Sequence, residues 1–588
     1  MGEYLAMVWP RGAPSQAAEA KRAIIEAEAG WTLAHRAHEI AVYVRGARPP
    51  VVRAVPNQGG AVIGDLFDTA ATREGRAQDF PLQLMVDVAP ADAARLLTRH
   101  AWGRYVAILK AGDAPPTLVR DPTGALECLT WVRDEVTFVA SAAPAQGPCA
   151  PEGLTIDWSK IGDILARGNL WSEICPLAGV IAVGPGVMRG GWGATEATRL
   201  WRPADHARRS RTWLDPKGLA DLVDACVAAL AKDRASILLE ISGGLDSAIV
   251  AASLARCGAP VVAAINAYWP QREGDERVWA ERIADRFGFP LVTSLRGLMA
   301  VDETVLDQTA RAARPGLNAQ DPDLDRDLAD QLRRVGAQAL FTGQGGDGVF
   351  YQMGHPALAA DILRGHPTPA GRAASLAMLA RRTRATVWSL MGRALQPLAR
   401  VSPGIPPPSF LAEGATLPPP HPWVAEHRGV SPAKRIQIRG LTNIQTAYGD
   451  SLRGRAADLI HPLMAQPIVE ACLAIPAPIL ALGEVDRPFA RAAFADRLPP
   501  ESLRRRSKGD VTVFFSKSLA ASLPALRPFL LEGRLAAKGL IDIARLEPLL
   551  YPEPMIWRDC VGEVMLAATV EAWVRAWERK IHGGFSQG

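Results

Sequence analysis

The run Ser242-Gly243-Gly244-Leu245-Asp246-Ser247 constrains this chain more than any other stretch. It follows the apolar segment 236–241 and opens into the helix-forming segment 248–255, so it reads as strand, glycine-rich turn, helix. Gly243 and Gly244 let backbone N–H groups approach an anion with no Cβ in the way. The helix start adds positive partial charge, and Ser242 and Ser247 add hydroxyl donors. Asp246 would repel a bare phosphate; it makes sense if Mg²⁺ lies between the carboxylate and the phosphate oxygens. No Lys follows the glycines, so the loop is not of the GxxxxGK type. A second apolar strand, 339–342, ends in Gly343-Gln344-Gly345-Gly346-Asp347-Gly348. Ligands of parallel sheets sit at the carboxyl ends of strands, so both loops can face one site. Asp246 and Asp347 would then hold Mg²⁺ from two sides, with Gly345 and Gly346 completing the phosphate cradle.

At 588 residues the chain is too long for one domain, and two are expected. An apolar fraction of 48% allows large cores, and a net charge of +5 is too small to argue for nucleic acid as a partner. Seven cysteines are dispersed with no CxxC pair, which argues against a disulfide framework or zinc site and for reduced thiols in the cytoplasm. The N-terminus shows no basic segment followed by an apolar core, and no apolar run is long enough for a membrane span.

Residues 1 to about 205 hold short alternating runs such as 40–44, 51–55 and 136–140, which favour an antiparallel, sheet-rich α+β domain. From about 213 to 588 helical periodicity dominates around a few apolar strands. Strand 236–241, helix 246–256 and strand 260–265 form a βαβ unit, and a further helix over 276–287 carries Val278, Trp279, Ile283 and Phe287 at helical spacing. This is a parallel α/β core. Residues 365–435 interrupt it with Arg- and Pro-rich sequence, either a substrate-facing lid or a partly disordered loop. Asp275 and Glu276 at a helix start read as caps. His355 reads as a loop histidine.

The loop Ser242–Ser247 resembles the pyrophosphate-binding loop of the ATP pyrophosphatases. Together with Gly343–Asp347 it resembles the asparagine-synthetase superfamily, whose members cut ATP between the α and β phosphates. Trp102–Ala107 and Arg120-Asp121-Pro122-Thr123-Gly124 are similar to the core of that family's N-terminal nucleophile amidotransferase domain. His461-Pro462-Leu463-Met464, Val469-Glu470 and Leu473–Pro476 are similar to a later family helix, and Arg506-Ser507-Lys508-Gly509 to the segment with the catalytic lysine. The resemblance implies a degenerate amidotransferase-like β-sandwich (1–205) followed by an adenylating α/β domain (213–588). It implies ATP and Mg²⁺, and Lys508 as the cation that stabilises charge as pyrophosphate leaves.

The departures matter as much. A family amidotransferase needs a Cys exposed once Met is removed; here the second residue is Gly2 and the first cysteine is Cys128. Gln344 stands where asparagine synthetases carry Glu and β-lactam synthetases Tyr; an amide cannot act as a base but can hydrogen-bond substrate. This combination is most similar to the lasso-peptide macrolactam synthetases. That likeness implies adenylation of an Asp or Glu side chain in a leaderless precursor peptide, then ring closure by the peptide's own N-terminal amine. A leader-cleaving protease and a leader-binding protein would be partners. β-Lactam or other small-molecule amide synthesis, ammonia-dependent asparagine synthesis and a non-catalytic scaffold are the competing readings.

Overall fold

The computed structural model describes residues 2–10, 15–56, 59–191, 196–209, 213–269, 274–298, 301–319, 321–395, 406–505, 512–557 and 560–583. Among these residues the strands form three sheets. Two six-stranded sheets are built from residues 3–199, and every pairing in them is antiparallel. The alternating runs of the sequence become strands Ile40–Arg45, Val52–Ala54 and Val136–Ala140. Alternation decides what each sheet face touches. Tyr4, Ala6 and Val8 point to one side of strand Glu3–Val8 and pack with Ile63, Val106 and Ile108 of the other sheet, which makes a sandwich. Leu5 and Met7 point the other way, onto Leu519, Leu526 and Trp573 of the C-terminal helices Thr512–Leu531 and Val561–His582. This strand is therefore buried on both faces, and the C-terminal helices pack on it.

The third sheet is wholly parallel. Its strands are β1 (Ile237–Glu240), β2 (Val261–Tyr268), β3 (Leu291–Leu295), β4 (Ala339–Phe341) and β5 (Asp458–Ile460), in the order β3-β2-β1-β4-β5. Helix α1 (Pro216–Ala231) precedes β1, and α2 (Leu245–Arg256) and α3 (Arg277–Phe287) are the crossovers to β2 and β3. On α3 the buried residues are Ala280, Ile283 and Ala284, while Val278 is more than half exposed. The expected apolar stripe is thus rotated, which turns Trp279 toward the β1 loop. The chain winds outward from β1 in one direction through β2 and β3 and in the other through β4 and β5. Between β1 and β4 the order reverses, and a crevice opens at such a switch point outside the strands' carboxyl ends.

The 365–435 insertion is substantially helical where described. It holds α4 (Arg372–Thr383) and α5 (Val387–Leu395), anchored by buried Leu376, Leu379 and Leu390, and the start of α6 (Pro432–Ile444). The Pro-rich part is seated as well: Phe410 is fully buried, its carbonyl accepts from the Asp542 amide at 2.9 Å, and Arg167 donates to the Pro418 carbonyl at 2.9 Å. This part packs between residues of the antiparallel half and of the C-terminal region.

Two arginines and two aspartates tie the antiparallel half to the parallel sheet. Arg104 donates to both oxygens of Asp458, each at 2.8 Å, and to Asp65 at 2.5 Å. Arg234 donates to Asp65 at 2.8 Å and to Asp458 at 2.9 Å. Burial opposes the charge on Asp65 and Asp458, but the two guanidiniums outweigh it and hold both carboxyls below their usual range. Removing one partner of a buried pair strands the other charges, so Asp458→Ala is expected to lose about 3–5 kcal/mol by urea unfolding. A lowered carboxylate contributes stability that is complete above its unfolded-state pKa and lost as pH falls. The parent should therefore weaken below about pH 4, and the variant's acid-dependent loss should be smaller.

Candidate active site

The crevice is built by the loops that leave β1 and β4, neighbours in register through Leu239 and Phe341. In the first loop the Ser242 amide donates to Ser247 Oγ at 3.2 Å, and Ser247 Oγ donates to the Gly244 carbonyl at 3.3 Å. These bonds close the turn before α2 begins at Leu245. Gly243 has φ of 65°, and a Cβ there would stand 2.5 Å from Trp279 Cβ. In the second loop a Cβ on Gly346 would stand 2.4 Å from Asp246 Cγ, so only glycine lets the β4 loop lie against the Asp246 side chain. Thr342 holds that loop in place: its hydroxyl accepts from the Gln344 amide at 3.1 Å and bonds His461 Nδ1 at 2.7 Å. Burial pushes His461 down to about 3, so it sits there neutral. The side chain of Gln344 is exposed beside the crevice.

Asp246 and Asp347 do converge, as the two loops predict, and they converge on Arg487. One nitrogen, Nη1, donates to Asp246 at 2.5 Å and to Asp347 at 2.7 Å. Burial works against the charge on Arg487, but Asp246, Asp486 and Asp347 outweigh it and keep it protonated. Gln352, with its amide nitrogen turned inward, donates to both oxygens of Asp347, at 2.6 and 3.2 Å. Arg505 donates to the Gly243 carbonyl at 2.7 Å, pairs with Glu276 and lies over the Trp279 ring. Glu276 thus binds a distant arginine and does not cap its helix, whereas Asp275 accepts from the Arg277 amide as a cap does. Arg505 belongs to a basic run whose plain reading is a solvated face; only the tertiary fold turns it inward. Lys508 lies outside the described residues.

Beside the aspartates is a cavity of about 650 Å³. The β1 loop contributes Gly244 and Leu245, the 483–491 segment contributes Arg487 and Arg491, and the insertion contributes Ala374, Met378, Arg381 and Arg382 from α4. Arg491 is committed to Asp486 and to the carbonyls of Ser502 and Leu503, and Arg382 to the carbonyls of Ala481 and Gln352. Arg381 is exposed at the rim. Of the other arginines in the insertion, Arg384 caps α4 with φ of 51°, Arg393 is exposed on α5, and Arg400 lies outside the described residues.

The asparagine synthase family profile matches residues 218–575, more than half of the sequence. The chain belongs to the asparagine synthase family. Family membership makes it an ATP-dependent, amide-forming ligase in general terms. No curated protein matches the chain. Among solved structures, one described as the allosteric regulatory enzyme of purine biosynthesis is 11% identical, covering 51% of this chain and 82% of its own, with a TM-score of 0.20. A glutamine phosphoribosylpyrophosphate amidotransferase from B. subtilis, complexed with ADP and GMP, is 12% identical, covering 67% and 93%, with a TM-score of 0.18. At such scores neither structure bears on the argument.

Gly2 of this asparagine synthase family member is tightly enclosed. A Cβ on Gly2 would stand 2.2 Å from the Arg48 carbonyl oxygen and 2.4 Å from Pro49 Cα, so no cysteine fits there. The cysteine nearest the N-terminus in sequence, Cys128, is fully buried, and burial pushes its thiol up to about 12. Glutamine is therefore expected to be inert, and an enzymatic glutamate assay on the pure protein should stay at background. Release of glutamate in step with product would overturn this.

Proposed function

We propose that this protein is a peptide cyclase. It adenylates an Asp or Glu side chain of a leaderless precursor peptide and closes an isopeptide ring with the peptide's N-terminal amine. The observation that carries this reading is the helix α4, which brings Ala374 and Met378 to the same cavity as the β1 loop. A synthetase for a small molecule has no need of a helical insertion in that wall.

A carboxylate is a poor acyl donor because its leaving group would be oxide. Attack of the carboxylate oxygen on the α-phosphate of ATP expels pyrophosphate and forms an acyl-adenylate. Attack of the amine on the acyl carbon then expels AMP and releases a proton. The β1 loop supplies amides and the Ser242 and Ser247 hydroxyls for the departing pyrophosphate, with Lys508 as the neutralising cation. Asp246 and Asp347 fit Mg²⁺: two carboxylates already hold one cation between them, and Mg²⁺ takes one or two carboxylates alongside phosphate oxygens and water. When bound, the metal neutralises phosphate charge. Gln344, exposed beside the crevice, would hydrogen-bond the peptide. The cavity wall holds the folded peptide so that amine and mixed anhydride meet.

Incubation with ATP, Mg²⁺ and a leaderless precursor should yield AMP, pyrophosphate and a peptide lighter by one water. ADP and phosphate as the nucleotide products would exclude the reading. Met378→Glu places a charge in the peptide's wall without touching the phosphate loop. It should raise the KM for peptide by about tenfold or more, the scale of a lost pocket contact, and leave the KM for ATP within about twofold. Equal effects on both would mean that α4 is only structural. A leader-cleaving protease and a leader-binding protein belong to this proposal as partners.

A further inference from the structure

The sharing of one guanidinium nitrogen by Asp246 and Asp347 places a fixed cation where the two loops would hold a metal. Resting on the metal reading above, we infer that Arg487 is a resident cation. It holds the two aspartates together before nucleotide arrives and must give up Nη1 contact with them for a divalent ion to bind.

Three observations carry this. First, Mg²⁺ needs its oxygens at about 2.0–2.1 Å, so a guanidinium nitrogen within hydrogen-bond distance of both carboxylates excludes the ion from the space between them. Second, Arg487 has another partner to retreat to. Its Nε donates to Asp486 at 2.8 Å, and its Nη2 lies 2.8 Å from the same oxygen. Asp486 is in turn held by Arg491, at 2.5 Å through the side chain and 2.7 Å through the backbone carbonyl. The side chain can release Nη1 without becoming an unpaired buried charge. Third, Arg487 lines the 650 Å³ cavity together with Gly244 and Leu245, so the released nitrogen stays beside the β1 loop proposed for the phosphates. The exchange conserves charge locally: the metal takes the carboxylates and the guanidinium takes phosphate oxygens, which it matches in geometry. Arg487 stands in the left-handed region, with φ of 51°, at the head of the helix Pro488–Ala493.

The arrangement predicts that metal and nucleotide bind together and that metal alone binds weakly. Mn²⁺ binding, read by electron paramagnetic resonance of the free ion, tests it without turnover. Counted against a protein-free titration of the same analogue, which chelates the ion itself, the parent should bind Mn²⁺ weakly alone and at least about tenfold more tightly with α,β-methylene-ATP, which cannot be adenylated from. Arg487→Met should bind Mn²⁺ alone at least about tenfold more tightly than the parent, because a positive charge has left the site. Adding Asp246→Asn to that variant should remove the gain. If Arg487→Met binds Mn²⁺ no better than the parent, the inference is wrong. The same holds if the parent binds the ion equally well with and without nucleotide, a measurement that does not depend on any variant folding. No Mn²⁺ binding by the parent even with the analogue would sink the metal reading itself.

Discussion

Asp246→Asn is expected to abolish adenylation, lowering turnover by more than about 10³-fold, while the circular dichroism spectrum should stay that of the parent. The substitution is chosen for its shape. Asp246 is packed so closely by Gly346 that a larger side chain would separate the two loops, and a smaller one would leave a gap beneath the β4 loop. Asn keeps the volume and removes the charge. Arg487 keeps Asp347 and Asp486, so the loss of one partner should lower the melting temperature only by a few degrees. The assay is pyrophosphate release with precursor peptide at saturating ATP. Activity within tenfold of the parent would remove Asp246 from the phosphate site.

Lys508→Ala should slow adenylation by roughly 10²- to 10³-fold, the effect of losing one donor aimed at developing charge. Its KM for ATP should rise as well, because a lysine on the phosphates contributes to ground-state binding too. Lys508→Arg should recover only part of the rate, since a planar fork does not reproduce a compact ammonium. The KM-against-kcat split from initial rates separates this from a general loss of structure. A kcat unchanged by Lys508→Ala would leave the basic run 504–508 as the solvated face that its composition suggests, with Arg505 the member that the fold turns toward Gly243.

The local parts of this site are legible in the sequence because they obey short-range rules. The run 242–247 announces a strand-to-helix turn through two glycines between an apolar run and a helical one. The structure places that turn between β1 and α2. The facing of Asp246 and Asp347 follows from parallel strands that end on one edge. What sits between the aspartates is not legible. Arg487 arrives from a segment 241 residues after Asp246, and nothing in the pattern around Asp486-Arg487-Pro488 says which carboxylates it will meet. The same limit applies to Arg505 and Glu276, 229 residues apart, where two local readings, a helix cap and a solvated charge, lose to one tertiary ion pair. The helical run α4 was hidden for another reason. Leu376 and Leu379 are its main buried apolar anchors, and a stripe that narrow gives little periodic signal within Arg-rich sequence. The C-terminal helices likewise show their apolar faces in sequence, but not that those faces cover the first strand of the chain.

In the proposed reaction a peptide carboxylate attacks the α-phosphate of ATP at the β1 loop and leaves one of its oxygens there. A precursor labelled with ¹⁸O in the acceptor carboxylate tests this directly, with mass spectrometry of the nucleotide products after one turnover. One ¹⁸O in AMP for each peptide cyclised and none in pyrophosphate is the expected result. Label in inorganic phosphate with ADP as co-product, or unlabelled AMP beside cyclised peptide, would contradict it.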